Sequence, residues 1–202
     1  MGFTRAELES FRDLAVPDLA GPDLRLVFVG INPSLWTAGT QTHFSHPGNR
    51  FYPALRIAGI IDRDVDRSAG MSDDDRAHFL RRGLGVTNLV NRATIRADEL
   101  SAAELRAGSA RLRRFVRTHR PAVVAVAGIT AYRTAFGRPG ARSGEQPEGL
   151  AGARLWVVPN PSGLNAHETT ATLAAAYAEP ARAAGLVLEQ PGPSDRPGGP
   201  TC

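Results

Sequence analysis

The chain has 202 residues, of which 42% are hydrophobic, enough for one α/β domain with a substantial core and short for two independent ones. All 24 basic residues are arginines against 20 acidic ones, and the net charge of +4 fits either an anionic partner or an arginine-rich coding bias. The one cysteine, Cys202, excludes an internal disulfide, a cysteine-rich zinc site and a multi-cysteine iron–sulfur cluster, while the lack of any run near roughly 18 apolar residues or of a secretory leader pattern leads us to expect a cytoplasmic protein without membrane contact.

In chain order, residues 24–29 read as a buried strand. A helix is expected over 49–58, with Asn49 as its cap and Pro53 in an early position. Ser72 is placed to cap a second helix through Arg82, with Asp73, Asp74 and Asp75 in the first turn, where the helix dipole favours negative charge. Residues 85–90 form a less apolar strand candidate. Over 98–118, Leu105, Leu112, Phe115 and Val116 fall on one side of a helix and Arg113, Arg114, Arg117 and Arg120 on the other. That arginine side faces water or phosphate. Residues 123–127 and 155–158 repeat the short apolar strand pattern, and a last helix spans 168–184, bent or interrupted at Pro180. Four short strands separated by helices predict a single three-layer α/β/α domain over 1–190 with a central, mostly parallel four-stranded sheet. A Pro-, Gly- and Ser-rich flexible tail is expected over 191–202.

Two asparagine-bearing loops follow strands directly: Gly30-Ile31-Asn32-Pro33-Ser34 and Asn160-Pro161-Ser162-Gly163-Leu164. Loops at the carboxyl ends of parallel strands can pinch a ligand between them. The Asn32 amide can orient a water but is no strong base at neutral pH. Between Gly39 and Gly48, which allow close turns, Phe44, His43 and His46 offer a stacking face and polar edges to a planar ligand, or else pack as an ordinary turn. Without a third ligand, His43 and His46 read as turn and hydrogen-bonding residues rather than a metal site. Leu164 reads either as a wedge between stacked bases or as a lid over the sheet.

Five stretches in order, Gly30-Ile31-Asn32-Pro33, Ala38-Gly39-Thr40, His46-Pro47-Gly48-Asn49-Arg50-Phe51, Gly85-Val86-Thr87-Asn88-Leu89-Val90 and Asn160-Pro161-Ser162-Gly163-Leu164, give the chain its resemblance to the mismatch-specific uracil and thymine DNA glycosylases. The resemblance covers roughly residues 25–184 and implies the uracil-DNA glycosylase-like fold. It implies that Asn32 positions the hydrolytic water toward the sugar C1′, that Phe44 stacks on the extruded base, and that Thr37 lies beside the pyrimidine C5 edge. Ile31, Asn88 and Asn160 complete the implied base pocket; Ser162, Gly163, Leu164 and Asn165 are the implied DNA contacts, with Leu164 filling the gap in the duplex. Arg50, beside the proposed pocket, reads as a further DNA contact or as a partner in a structural salt bridge. Ser34 stands where the motif has glycine, Trp36 is bulkier than the expected small residue, and Asn88 stands where a bacterial relative suggests lysine and a related eukaryotic pattern has asparagine.

The implied reaction is hydrolysis of the N-glycosidic bond of uracil in double-stranded DNA, favouring G·U mismatches and leaving an abasic site, with neither cofactor nor metal. The implied protein is a cytoplasmic, nucleoid-associated monomer. Lacking lysine, the chain has no side chain for the Schiff base of a lyase-type enzyme. Two other readings compete: an inactive binder of distorted or abasic DNA, and a nucleotide-binding hydrolase, which the absence of a Gly-x-Gly-x-x-Gly run and of a Walker lysine disfavours.

Overall fold

A computed structural model describes residues 2–67 and 69–189. The expected tail over 191–202, Cys202 included, lies outside the described residues. Five strands, β1 (Leu26–Gly30), β2 (Leu84–Asn88), β3 (Val123–Ala127), β4 (Gly144–Glu145) and β5 (Arg154–Val158), form one sheet in the order β2-β1-β3-β5-β4. Four of them are parallel, with Leu26 opposite both Leu84 and Val123, and Val123 opposite Arg154. The expected four-strand sheet thus gains one member, the two-residue β4, which pairs antiparallel along the edge of β5.

Both faces of the sheet are covered, which is why its strands read as continuous apolar runs. On β1, Leu26 and Phe28 point into one core and Val27 and Val29 into the other; on β3, Val123, Ala125 and Ala127 alternate in the same way with Val124 and Val126. The first core is closed by α3 (Phe51–Ile57), α4 (Asp73–Arg81) and α7 (Thr170–Ala183), through Phe51, Leu55, Phe79 and Tyr177. The second is closed by α5 (Ala102–His119) and α6 (Ile129–Phe136), through Leu112, Phe115, Val116 and Tyr132. A small third cluster, including Val16, Leu35 and Ala38, holds α2 (Leu35–Thr40) together with α1 (Arg5–Ser10).

Several boundaries differ from expectation for local reasons. Ser72 caps α4 as expected, accepting from the Asp75 N–H at 3.1 Å. The helix expected from residue 98 starts later, because Ala97–Glu99 forms a 3-10 turn and Ser101 opens α5 with a capping box to Glu104. Asn49 Oδ1 accepts from the Phe51 N–H at 2.9 Å one residue ahead of the α3 cap, Arg50. Pro180 does not interrupt α7. Gly39 serves no turn: it lies inside α2, where a Cβ would meet the Phe11 ring at 2.5 Å, so its bareness lets α1 pack on α2. No helix among the described residues is long and apolar enough to cross a membrane.

Candidate active site

The carboxyl ends of β1, β2, β3 and β5 open into a cleft of about 1010 Å³, bounded by the segments that follow each of these strands. Asn32, two residues beyond the end of β1, is held by its amide nitrogen. Its Nδ2 donates to the carbonyls of Pro33 (3.1 Å) and Arg92 (2.9 Å) and to Thr94 Oγ1 (2.8 Å). Thr94 is buried, and its own hydroxyl donates to the Arg96 carbonyl at 2.7 Å, so Oγ1 is committed as an acceptor toward Asn32. Three acceptors fix which end of the amide is nitrogen. Oδ1 has no partner among the described residues and is the end left to the cleft.

The acceptors themselves are braced. Arg92 binds Glu104 through Nε (2.9 Å) and Asp13 through Nη1 (2.8 Å), which fixes the carbonyl that Asn32 uses. The main-chain N–H and hydroxyl of Ser101, with Arg92 beyond them, hold the Glu104 carboxyl down to about 2.

On the floor, Phe44 sits at φ 57 with its ring stacked on Phe51 at 4.2 Å, leaving the opposite ring face toward the cleft. Beside it, Asn88 Nδ2 donates to His43 Nδ1 at 3.1 Å, while His43 Nε2 donates to the Pro17 carbonyl at 2.9 Å. That pairing sets the tautomer, because the carbonyl only accepts. Burial pushes the His43 imidazole down from its ordinary range and keeps it neutral. Asn88 Oδ1 is therefore the free end, lying so close to Gly30 that a Cβ there would stand 2.4 Å from it and 3.2 Å from the Phe44 ring. Thr37 is buried on the cleft wall, its N–H and Oγ1 both bonded by Ser34 Oγ at 3.1 Å.

The second loop forms the opposite rim. Asn160 Oδ1 accepts from the Ser162 N–H (3.1 Å), Ser162 Oγ accepts from the Leu164 N–H (3.3 Å), and Asn165 Nδ2 donates to the Asn160 carbonyl (3.0 Å). At its tip Leu164 is 86% exposed, so it is neither a core residue nor a lid on the sheet. Gly163 lies against the first rim, where a Cβ would meet the Gly48 carbonyl oxygen at 2.7 Å.

A comparison with family models matches residues 17–181 to the Uracil DNA glycosylase superfamily. The chain belongs to that superfamily. It is accordingly a DNA glycosylase, a hydrolase of N-glycosyl bonds. Its fold is similar to that of a Methanosarcina acetivorans protein solved by solution NMR and provisionally described as a uracil DNA glycosylase. That match has a TM-score of 0.53 and 14% identity, and covers 81% of this chain and 94% of the other.

The fold brings Ile31, Asn32, Thr37, Phe44, Asn88, Asn160, Ser162, Gly163, Leu164 and Asn165 to the lining of one cleft. Arg50 departs from its expected place as a DNA contact. It does not line the cleft; its guanidinium is part-buried against the carbonyls of Ser162 (2.7 Å), Asn165 (2.8 Å) and Glu168. Both oddities near the first loop also find physical reasons. Ser34, in place of glycine, is the cap of α2, and Trp36 does not line the cleft, its ring packing edge-on to Phe3 at 5.0 Å and to His46 at 6.2 Å. His46 spends its Nδ1 on the Gly48 N–H at 3.1 Å, and no group of three or more metal-ligating side chains occurs among the described residues. Residues 94–98 were missed: they supply the acceptor for Asn32 and an exposed apolar residue, Ile95, on the rim. No local pattern marks them, because their partner lies about sixty positions away.

Proposed function

We propose that this glycosylase is monofunctional and hydrolyses the N-glycosidic bond of uracil in double-stranded DNA, favouring G·U mismatches and releasing an abasic site. The observation that carries the double-stranded reading is Leu164, a large apolar side chain 86% exposed at the tip of a well-bonded turn on the cleft rim. The gap left in the stack by an extruded base is a place where such a side chain can be buried.

In the proposed reaction the uracil stacks on the free face of Phe44 and offers its imide N–H to Asn88 Oδ1, an acceptor by virtue of His43. The C5 edge meets Thr37. As the glycosidic bond lengthens, electrons pass to the base and positive character grows at C1′. Asn32 Oδ1 accepts a hydrogen bond from a water and aims its oxygen at C1′; the carboxamide orients and does not deprotonate. The proton is lost after the C–O bond forms, when water has become strongly acidic. With no lysine in the sequence, no side-chain Schiff base follows and the strand is not cleaved. A G·U pair is weaker than a Watson–Crick pair, so extrusion costs least there.

Labelled G·U, A·U and G·T duplexes and a single-stranded uracil oligonucleotide, incubated under single-turnover conditions and then cleaved at abasic sites with alkali, test the proposal. Product should appear fastest from G·U and slowest from G·T. No product from any uracil substrate would remove the proposed uracil excision. Retained binding to an abasic analogue would then favour a DNA-structure binder.

A further inference from the structure

The bonds within the second loop give its turn a shape, but they do not fix the turn to the rest of the molecule. Arg50 does. It is the cap residue of α3, immediately before Phe51, which is 1% exposed in the first core. Its main-chain N–H donates to the Pro161 carbonyl at 3.0 Å, and its guanidinium reaches Ser162 on one limb of the loop and Asn165 and Glu168 on the other. The tip residue Leu164 lies between those limbs. Nothing in its own packing restrains it, since it is almost wholly exposed.

We infer that Arg50 is a positioning residue for the insertion loop: it holds both limbs of the turn against α3, so that Leu164 is presented to the duplex in one orientation. Two features separate this from phosphate binding. Its guanidinium is turned onto three carbonyls, and its Nε is buried without a partner, so the planar fork is spent inside the protein. The Gly163–Gly48 contact seats the same loop a second time, main chain on main chain, and leaves no room for a Cβ. A loop ordered before binding loses less entropy when it inserts. Insertion of Leu164 then depends on a residue that need not touch DNA.

The inference rests on the duplex-glycosylase reading. Its test is a double-mutant cycle on wild type, Arg50→Ala, Leu164→Ala and the double variant, read by single-turnover excision from A·U, G·U and single-stranded uracil, with amide hydrogen exchange over residues 160–168. Arg50→Ala should lose roughly tenfold or more on A·U, less on G·U, and within about twofold nothing on single strands, where no gap needs filling. The double variant should be no slower than Leu164→Ala within about twofold, because both changes remove one function. Exchange at 160–168 should quicken in Arg50→Ala. Arg50→Lys, which keeps the charge but not the fork, should retain most of the A·U defect. If Arg50→Ala does not fold, Gly163→Ala displaces the same loop from the other side and should give the same ranking of substrates.

Equal losses on all three substrates, additive effects in the cycle, or full rescue by lysine would overturn the inference in favour of a structural or phosphate role. A wild type inactive on every substrate would instead remove the proposed function. The exchange measurement would still decide whether Arg50 holds the loop, unchanged rates sinking the clamp.

Discussion

Leu164→Ala gives the sharpest separation between a wedge and a structural leucine. The side chain is 86% exposed, so its truncation should change folding stability by no more than about 0.5 kcal/mol, a shift of about 2 °C or less in Tm for a domain of this size. Inside a vacated duplex gap the balance is different. Three carbons are lost, Cγ and both Cδ, and at about 0.8 kcal/mol for each buried carbon the forfeited burial is about 2.4 kcal/mol. That corresponds to a ceiling of roughly 60-fold in the extrusion equilibrium. The full effect should appear on A·U, where pairing draws the base back, a smaller one on G·U, and almost none on single-stranded uracil. Thermal unfolding and single-turnover excision are measured on the same preparation. An unchanged A·U rate would refute the wedge, and so would a loss of equal size on single strands. A fall of many degrees in Tm would contradict the exposed position itself.

Asn32→Ala should slow the chemical step by roughly 10²-fold or more while leaving DNA affinity largely intact, because the groups that contact phosphate remain; single-turnover rates beside equilibrium binding to an uncleavable duplex check both. Gly30→Ala places a Cβ 2.4 Å from Asn88 Oδ1 and 3.2 Å from the Phe44 ring, so the pocket floor must shift; excision should fall for every base, with about 1–3 kcal/mol lost from stability by crowding, read by denaturant melts. Burial lowers the His43 imidazole below its unfolded value, so the unfolded chain takes up the proton first as pH falls. Stability is then full above roughly pH 6.5 and declines below it. His46 and His78 are shifted the same way, so a Tm series over pH 5–8 should flatten in part, not wholly, in His43→Gln.

Strands buried on both faces announce themselves as apolar runs, and the position of both asparagine loops followed from them. The helices that escaped notice lack such a signal. α2 is six residues long and contains Gly39 and two threonines, and α6 opens after Gly128 with no side-chain cap. α1 carried a readable capping box, Thr4 with Glu7, too short to stand out alone. β4, with two residues, has no periodicity to read. At the site, residue types and loop order were legible, and orientation was not. Whether Asn32 shows its oxygen or its nitrogen to the cleft is decided by Arg92 and Thr94, and whether Asn88 does so is decided by His43 and Pro17. The clamp made by Arg50 was not legible because its three acceptors are main-chain carbonyls, which any sequence would supply.

The hold on Asn32 also restricts how this catalyst can change. A single codon step to aspartate would replace Nδ2, a donor to three acceptors, by an oxygen facing the Pro33 and Arg92 carbonyls and Thr94 Oγ1. Carbonyls have no proton to give, and the Thr94 hydroxyl would have to abandon Arg96 to help. A carboxylate base is thus one nucleotide away in the gene and several concerted substitutions away in the fold. Descendants of this chain that gain faster chemistry through an acid at position 32 should carry a rebuilt 92–96 segment with it.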